Sequence, residues 1–365
     1  DNINFFVMYS VSFILSYFIV ILMIGVVTIN SFRKFILKYR IFGKAKKRDF
    51  HQNPIPNSSG VAFFFIFTLG LIILEPFIES SKILGLIVSS FLIIVTGFWD
   101  DLKILNPYKK LLYQIISIVF IVVHNDLILQ NLHGFLGIGI IPYWIGLIFT
   151  SFIGIFMINS FNLIDGIDGL SSFVAIISFL SFSIIFWGID SKVFFGICFL
   201  MVGILVAYIP FNFGSQQLKV FMGDSGSMFI GLILFVMSMI VVNTPAPIID
   251  RLFDRSILPV APLVIFIIPI IDSASIYLYR LSKGRSPFSA DKFHIHHIFL
   301  SFTKSHLISS LAISSLLILT IVIFALSAFN FNSLFFISSY FILIFFMIII
   351  VNLLRIYFKK DLNNL

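Results

Sequence analysis

The sequence has little charge and almost no cysteine. Of its 365 residues, 11% are charged and 59% are hydrophobic, whereas a soluble domain averages about 25% charged residues. The chain therefore lacks the polar surface that covers a water-exposed globule, and an integral membrane protein is predicted. The lone cysteine, Cys198, lies inside an apolar block, which excludes a disulfide framework and a thiolate metal site. Internal repeats are absent as well.

The apolar residues form long blocks without the strict polar alternation of a β-barrel, which predicts an all-α, polytopic membrane bundle. A spanning helix needs about 20 apolar residues, and the chain offers about eleven such segments. They are residues 5–30, 59–78, 83–99, 111–124, 141–158, 170–188, 192–209, 226–243, 257–277, 307–328 and 333–354. Polar residues interrupt the stretch 125–140, which we interpret as a surface loop or half-helix, since a span there would invert everything downstream.

Basic residues predict the orientation of the bundle, because cytoplasmic loops retain Lys and Arg. Twenty of the 24 basic residues fall on one side of the predicted spans; Lys82, Lys192, Arg251 and Arg255 fall on the other. We therefore expect the amino terminus outside, the carboxyl terminus in the cytoplasm, and one domain in the inner (cytoplasmic) membrane. The expected cytoplasmic loops are residues 31–58, 100–110, 159–169, 210–225 and 278–306.

Five polar motifs interrupt the apolar blocks, and all five open on the expected cytoplasmic face. The first holds Asp100 and Asp101, followed by Lys109 and Lys110 at the start of the next segment. Two adjacent carboxylates at a membrane boundary are costly unless a cation or metal compensates them. Neighbouring residues of a helix point about 100° apart, so different partners are expected for them. A solvated loop with a helix-capping Asp is the alternative.

The second motif repeats an oxygen-bearing side chain every three residues, as Asn159, Asn162, Asp165 and Asp168. This spacing places all of them along a drifting helical face or one side of a tight turn. Oxygen ligands without thiolates suit Mg²⁺ or Mn²⁺. A polar turn between two spans is the alternative interpretation.

The third motif is Gly223-Asp224-Ser225-Gly226. It resembles the nucleophile segment of trypsin-like proteases, but those folds are disulfide-tolerant β-barrels, whereas this stretch opens a membrane helix on the reducing side. A glycine-rich entry to a helix that carries one Asp indicates a phosphate or metal-phosphate site.

The fourth motif combines Asp272 and Arg280 with the stretch 285–297, which ends in His294, His296 and His297. Only His294 and His297 have helical i, i+3 spacing. Because Arg280, Arg285 and Lys292 are nearby in the sequence, an anion site is favoured over zinc. A buried ion pair with Arg280 is an equal interpretation of Asp272. The fifth motif, residues 48–60, is a stiff, proline-containing entry to the second span.

Together the motifs supply carboxylates and amides for a hard divalent cation, and a separate group of Arg, Lys and His, at one membrane interface. This combination fits an enzyme that joins two phosphate-bearing substrates, one soluble and one lipid, because the metal and basic groups offset the anionic repulsion.

The same motifs, in the same order, make the chain resemble the polyprenyl-phosphate N-acetylhexosamine-1-phosphate transferases, closest to the WecA-like, UDP-GlcNAc-using branch. The matching residues run from His51–Gly60 to the histidine motif at 294–297. The family usually has Gly-Gly where Ser59-Gly60 stands here. His-Ile-His-His favours this branch over the muramyl-pentapeptide branch, whose histidines are consecutive.

The resemblance implies transfer of a sugar-1-phosphate, most simply GlcNAc-1-phosphate, from a UDP-N-acetylhexosamine to undecaprenyl phosphate, with release of UMP. It implies Mg²⁺, with Mn²⁺ as the alternative, bound by Asp224 and assisted by Asn162. Asp100 and Asp101 are implied at the lipid-phosphate site, and a homodimer is suggested. Substrate-binding roles are expected for Asn159, Asn162, Asp165, Asp168, Lys109, Lys110, Arg280, His294, His296 and His297.

Two other function classes are compatible with a polytopic chain: a secondary transporter and a non-catalytic lipid-binding homologue. Transporter sites lie near the bilayer midplane and often accompany inverted repeats, whereas the polar motifs here gather at one interface. A CDP-alcohol phosphotransferase is excluded, because Asp165–Gly169 lacks the Ala-Arg and spaced acids that follow in that family. No nucleic-acid partner is expected.

Overall fold

The computed structural model describes residues 11–41, 55–57, 59–77, 79–244, 257–284, 294–328 and 333–357. In these ranges all regular elements are helical, apart from an isolated antiparallel bridge between Asn131 and Ile140. The helices are α1 (Val11–Tyr39), α2 (Gly60–Leu74), α3 (Ser80–Lys103), α4 (Pro107–His124), α5 (Tyr143–Ile164), α6 (Leu170–Gly188), α7 (Lys192–Asn212), α8 (Gly223–Val242), α9 (Val260–Ile265), α10 (Ile267–Ser282), α11 (Ile295–Thr303), α12 (His306–Ala328) and α13 (Ser333–Tyr357).

Seven helices in the described part of the chain are long and apolar enough to cross a membrane. Their spanning parts are Phe13–Tyr39, Ser80–Lys103, Tyr143–Ile164, Leu170–Gly188, Lys192–Asn212, Gly223–Val242 and His306–Ser327. The prediction of an all-helical protein with several membrane spans is thus confirmed. Each predicted apolar segment overlaps a described helix, and residues 125–142 form a connection that contains a short 3₁₀ helix, Phe135–Gly137.

The first of two compact units comprises Asp1–Gln130, Ile141–Asn162 and Phe179–Asn243. Within it α8 packs against α2 and α3, while α1 packs against α2 and α7. Of the apolar window of α8, 94% is buried. A helix that is hydrophobic on all sides belongs in a core, so α8 is the helix around which this unit is built.

Two glycines let α2 and α3 approach the first turn of α8. A Cβ atom on Gly60 would overlap the backbone of Gly226, and one on Gly97 would overlap the backbone of Ser225. Because glycine has no side chain, the backbones of α2 and α3 can both contact the backbone of α8 at these positions. This close contact fixes the position of the polar start of α8 relative to the end of α3.

The second unit comprises Asn131–Ile140, Leu163–Ser178 and Thr244–Leu365. Within it α10 packs against α13, and α11 packs against α12. The helix is interrupted at Phe266, between α9 and α10. Three residues later, Pro269 has no N–H to donate to the carbonyl of Ile265. Ser178 Oγ donates to that carbonyl instead, at 3.2 Å, so the buried acceptor remains satisfied.

We expect Gly97→Ala to destabilise the protein by about 1–3 kcal/mol, because the added methyl group overpacks the contact between α3 and α8. Thermal unfolding in detergent measures the change. Gly139→Ala is the matched control, since a Cβ atom on Gly139 meets open space. Equal melting temperatures for the two variants would contradict the proposed close contact.

Candidate active site

The polar start of α8 is capped by the carboxylate of Asp101, which comes from the last turn of α3. Asp101 Oδ1 accepts the backbone N–H of Asp224 at 2.8 Å, and Oδ2 accepts the N–H of Ser225 at 3.2 Å and its hydroxyl at 2.9 Å. A helix N-terminus carries unsatisfied N–H groups and a partial positive charge. The carboxylate of Asp101 accepts two of these N–H groups and offsets the partial positive charge. It thereby fixes the segment that carries Asp224.

The neighbouring carboxylate, Asp100, forms an ion triad with Lys110 and Asp224. Lys110 Nζ lies 2.8 Å from Asp100 Oδ2 and 2.9 Å from Asp224 Oδ2. Asp100 Oδ1 also accepts the N–H of Leu105 at 2.5 Å. The ammonium group thus offsets two carboxylates that lie close together. Asp100 and Asp101 do have different partners, as the helical angle between them predicts.

The amide of Asn162, near the end of α5, completes this cluster in the first unit. Its Nδ2 donates to Asp224 Oδ1 at 3.0 Å and to Ser227 Oγ at 2.8 Å. The described residues contain no group of three or more His, Cys, Asp or Glu arranged to hold a metal ion. Mg²⁺ needs only one or two carboxylates, with waters and substrate phosphates as further ligands. The oxygens of Asp100, Asp224 and Asn162 fit that requirement.

One turn earlier on α5, Asn159 is paired with Gln114 of α4. Gln114 Nε2 donates to Asn159 Oδ1 at 3.2 Å, and Asn159 Nδ2 donates to Gln114 Oε1 at 2.9 Å and to the carbonyl of Ile155 at 2.8 Å. The amide of Asn159 is thus used at both ends within the bundle. In this structure it joins α4 to α5 and supports the position of Asn162.

Ser59 joins the entry of α2 to the segment before α8. Its hydroxyl donates to the carbonyl of Phe221 at 2.9 Å, and its N–H donates to the same carbonyl at 3.3 Å. The N–H of Phe221 in turn donates to the carbonyl of Pro56 at 2.8 Å. A serine before Gly60 therefore supplies a hydrogen bond that a glycine does not, while Gly60 still permits the close approach to α8.

In the second unit, the carboxylate of Asp272 is fully buried and holds the start of α11. His294 Nδ1 lies 2.8 Å from Asp272 Oδ2, and the N–H of Ile295 donates to Oδ1 at 2.7 Å. Arg355 Nη2 lies 3.4 Å from Oδ1. Arg280 follows Asp272 by eight residues, about 12 Å along the axis of α10. The interpretation of Asp272 as an ion-pair partner of Arg280 is therefore wrong, because Arg355 has that place.

Three histidine rings lie together at the start of α11. The rings of His294 and His296 are stacked with centroids 5.5 Å apart, and those of His296 and His297 are 4.3 Å apart. His296 is buried against Gly166, and its Nδ1 has no hydrogen-bond partner within the described part of the chain. Burial, and then the nearby His297 and His294, hold the pKa of His296 well below its ordinary value.

The two acids that follow Asn162 in the sequence are held by other side chains of the second unit. Asp165 Oδ1 accepts the hydroxyl of Ser171 at 2.7 Å. Asp168 Oδ2 lies 3.4 Å from His306 Nδ1, and its backbone carbonyl accepts the hydroxyl of Ser310 at 2.8 Å. Both carboxylates thus shape the turn between α5 and α6 and the approach of α12 to it.

Of the remaining predicted residues, Arg280 is buried in the last turn of α10 and Lys109 is exposed in the first turn of α4. His51, Arg285 and Lys292, which belong to predicted motifs, lie outside the described residues.

Sequence reasoning did not assign roles to Gln114 or Arg355. Gln114 is the amide in the apolar stretch of α4, and a polar side chain within a membrane segment is itself a signal of function or pairing. Arg355 counted only as a basic residue of the carboxyl-terminal end. That it reaches Asp272, 83 residues earlier, is a tertiary fact without a local sequence signal.

Comparison with known proteins gives a family match over the first unit's site residues. The model of glycosyl transferase family 4 matches residues 83–242. An undecaprenyl-phosphate alpha-N-acetylglucosaminyl 1-phosphate transferase of Escherichia coli K12 is 32% identical over 278 residues, which cover 73% of this chain and 71% of that protein. The protein of that name from Yersinia pestis is 30% identical, covering 73% and 72%.

A more distant relative comes from Mycolicibacterium smegmatis. This decaprenyl-phosphate N-acetylglucosaminephosphotransferase is 26% identical over 300 residues, which cover 75% of this chain and 72% of that protein. The similarity therefore extends across most of the length of each of these relatives.

We expect Asp101→Asn to destabilise the protein by about 1–2 kcal/mol, because the capping side chain loses its charge and one of its acceptor oxygens at the start of α8. The melting temperature in detergent is the measurement. Asp126→Asn, in the exposed turn after α4, provides the matched control with the same chemical change. An unchanged melting temperature for Asp101→Asn would refute the capping role.

Proposed function

Because this chain belongs to glycosyl transferase family 4, we propose that it transfers N-acetylglucosamine-1-phosphate from UDP-GlcNAc to undecaprenyl phosphate. The products are UMP and a lipid-linked diphospho-sugar, which is a first membrane step of cell-surface polysaccharide synthesis. The names of the Escherichia coli relatives support both the undecaprenyl-phosphate acceptor and the sugar. The Mycolicibacterium smegmatis relative, whose name gives decaprenyl phosphate, supports the sugar.

The observation that carries the proposal is the ion triad of Asp100, Lys110 and Asp224 at the glycine-rich start of α8. All three residues lie within the stretch that matches the family model. A transferase that brings two phosphates together must offset their repulsion and still leave carboxylates for a cation. This cluster contains groups of both kinds, within 3 Å of each other.

Asp224 and Asn162 would hold Mg²⁺ in this proposal, and Asp100 shares the Lys110 ammonium group with Asp224. The cation, when bound, supplies Lewis-acid stabilisation to the diphosphate of the donor. Asn162 donates to Asp224 Oδ1 and so orients the carboxylate. Asp101 keeps the start of α8 in place through its three hydrogen bonds, and Lys110 offsets negative charge as the second phosphate arrives.

The lipid phosphate attacks the donor directly. A phosphate oxygen is already an adequate nucleophile once the charge of its target is neutralised, so a covalent intermediate on an Asp is not needed. Asp100 positions the lipid phosphate or accepts its remaining proton, and the Lys110 ammonium holds that carboxylate in place at 2.8 Å. Lys109 and Lys110 attract the anionic headgroup.

The cluster of the second unit binds the nucleotide diphosphate. Arg280 and His294 contact the diphosphate, His296 and His297 shape the same surface, and Asp165 and Asp168 orient the turn or the nucleotide. The neutral state that burial favours for His296 suits a hydrogen-bonding rather than an ionic role. Asn159 acts indirectly, since its amide is engaged by Gln114.

The finer topology belongs to the same proposal. We assign eleven spans to a single inner-membrane domain, with the amino terminus outside, the carboxyl terminus inside and the site loops on the cytoplasmic face, where UDP-sugars are made. The bias of Lys and Arg supports this orientation. The protein works among membrane lipids, and a homodimer is the assembly that we propose.

Release of UMP from a panel of UDP-sugars tests the function. We expect release only when undecaprenyl phosphate and Mg²⁺ are both present, with UDP-GlcNAc as the preferred donor. Asp224→Asn should lower the rate roughly 100-fold or more, because the cation loses its carboxylate. Asp126→Asn changes an exposed carboxylate and serves as the matched control.

Folding of both variants is checked by their melting temperatures in detergent. Release of UMP at a near-normal rate by Asp224→Asn would remove Asp224 from the metal site. No release with any donor, from folded wild-type protein, would favour a transporter or a lipid-binding homologue.

Arg280→Ala should raise the KM for the UDP-sugar by more than it raises the KM for undecaprenyl phosphate, because the guanidinium group is assigned to the donor diphosphate. Steady-state kinetics with each substrate varied in turn measures both constants. Equal increases in the two constants would contradict that assignment.

A further inference from the structure

The start of α11, where His294 lies, is held by a carboxylate from another helix. Asp272 of α10 is fully buried; its Oδ2 lies 2.8 Å from His294 Nδ1, and its Oδ1 accepts the N–H of Ile295 at 2.7 Å. Asp272 therefore does two things at once: it caps α11, and it determines which nitrogen of His294 carries the proton.

A buried carboxylate needs a positive partner, and here the partner comes from the end of the chain. Arg355 lies in the last turn of α13, is 1% exposed, and places Nη2 3.4 Å from Asp272 Oδ1. Its Nη1 donates to Asn352 Oδ1 at 3.1 Å, and Asn352 Nδ2 donates to the carbonyl of Ile348 at 3.0 Å. The contact with Asn352, within the same helix, thus orients the guanidinium group toward Asp272.

We propose that Arg355 is a positioning residue that acts on the substrate through Asp272 and His294. This inference rests on the proposed function, in which His294 contacts the donor diphosphate. Arg355 adds a second ion pair to the one that His294 makes with Asp272, and both favour the ionised carboxylate in its buried place. An ionised Asp272 has no proton to give, so His294 Nδ1 must be the donor, and Nε2 is left as the nitrogen for the substrate.

Removal of Arg355 leaves a buried carboxylate without its arginine, which is costly. Without the guanidinium group, the proton between Asp272 and His294 is held less firmly on Nδ1, and the cap of α11 weakens with it. Other titratable groups around His294 are His296 beside it, His297 beside His296, and His306 of α12, which also acts on His296.

A double-mutant cycle tests this relay, in which Arg355 acts through Asp272 on His294. We expect Arg355→Ala to lower kcat/KM for the UDP-sugar roughly 10- to 100-fold, the scale on which hydrogen-bonded supports of site histidines act. In a His294→Ala background the same change should cost less than about twofold, because the residue through which Arg355 acts is already gone. Arg355→Lys keeps the positive charge but lacks the planar guanidinium group, and it should retain more activity than Arg355→Ala.

Arg33→Ala is the matched control, since Arg33 is also a buried arginine, and it donates to the carbonyl of Gln217 in the first unit. Its cost should be the same with and without His294. If Arg355→Ala loses as much activity in the His294→Ala background as in the wild type, Arg355 is a structural residue and the relay is wrong.

A second measurement does not depend on turnover. Nuclear magnetic resonance of protein labelled with ¹⁵N-histidine, with the His294 signal assigned by its loss in His294→Ala, should show the Nδ1-protonated form in the wild type. Asn352→Ala, which keeps the charge but frees the guanidinium group, should shift that signal toward a mixture. An unchanged signal in both Asn352→Ala and folded Arg355→Ala would overturn the relay even if the proposed function fails.

Discussion

The structure depends on one constraint: a carboxylate that is largely shielded from water must have a partner. Three acids satisfy this constraint in three different ways. Asp100 is paired with an ammonium group, Asp101 accepts the N–H groups at the start of α8, and Asp272 is paired with His294 and Arg355. Each solution also holds a functional segment in place, so charge compensation and positioning of the site are the same set of contacts.

The first unit shows how the helix packing serves the site. The buried helix α8 begins with polar residues, and α2 and α3 come close to that turn because Gly60 and Gly97 have no side chain. The close approach brings Asp100 and Asp101, at the end of α3, next to Asp224. Lys110 reaches both carboxylates from the first turn of α4. The proposed function needs such rigid helices, because the positions of the charges decide whether a cation and two phosphates can be accommodated.

Sequence alone predicted most of the helices, since hydropathy over about 20 residues is a local property. The third predicted segment, 83–99, stops short of both ends of its helix, Ser80–Lys103, and the fourth, 111–124, begins four residues after the start of Pro107–His124, because polar residues continue both helices. The motifs predicted which acids matter. The partners of these acids could not be predicted from the sequence. Lys110 and Asp224 are 114 residues apart and Arg355 and Asp272 are 83 apart, and periodicity carries no information over such distances.

In the proposed reaction the sugar moves together with its β-phosphate, so the fate of that phosphorus atom distinguishes this reaction from simple glycosyl transfer. Wild-type protein is incubated with UDP-GlcNAc labelled with ³²P at the β-phosphate, undecaprenyl phosphate and Mg²⁺, and the label is then partitioned between organic and aqueous phases. A sugar-1-phosphate transferase carries the label into the lipid and releases unlabelled UMP. Label that stays in water as UDP while the sugar enters the lipid would mean simple glycosyl transfer and would contradict the account.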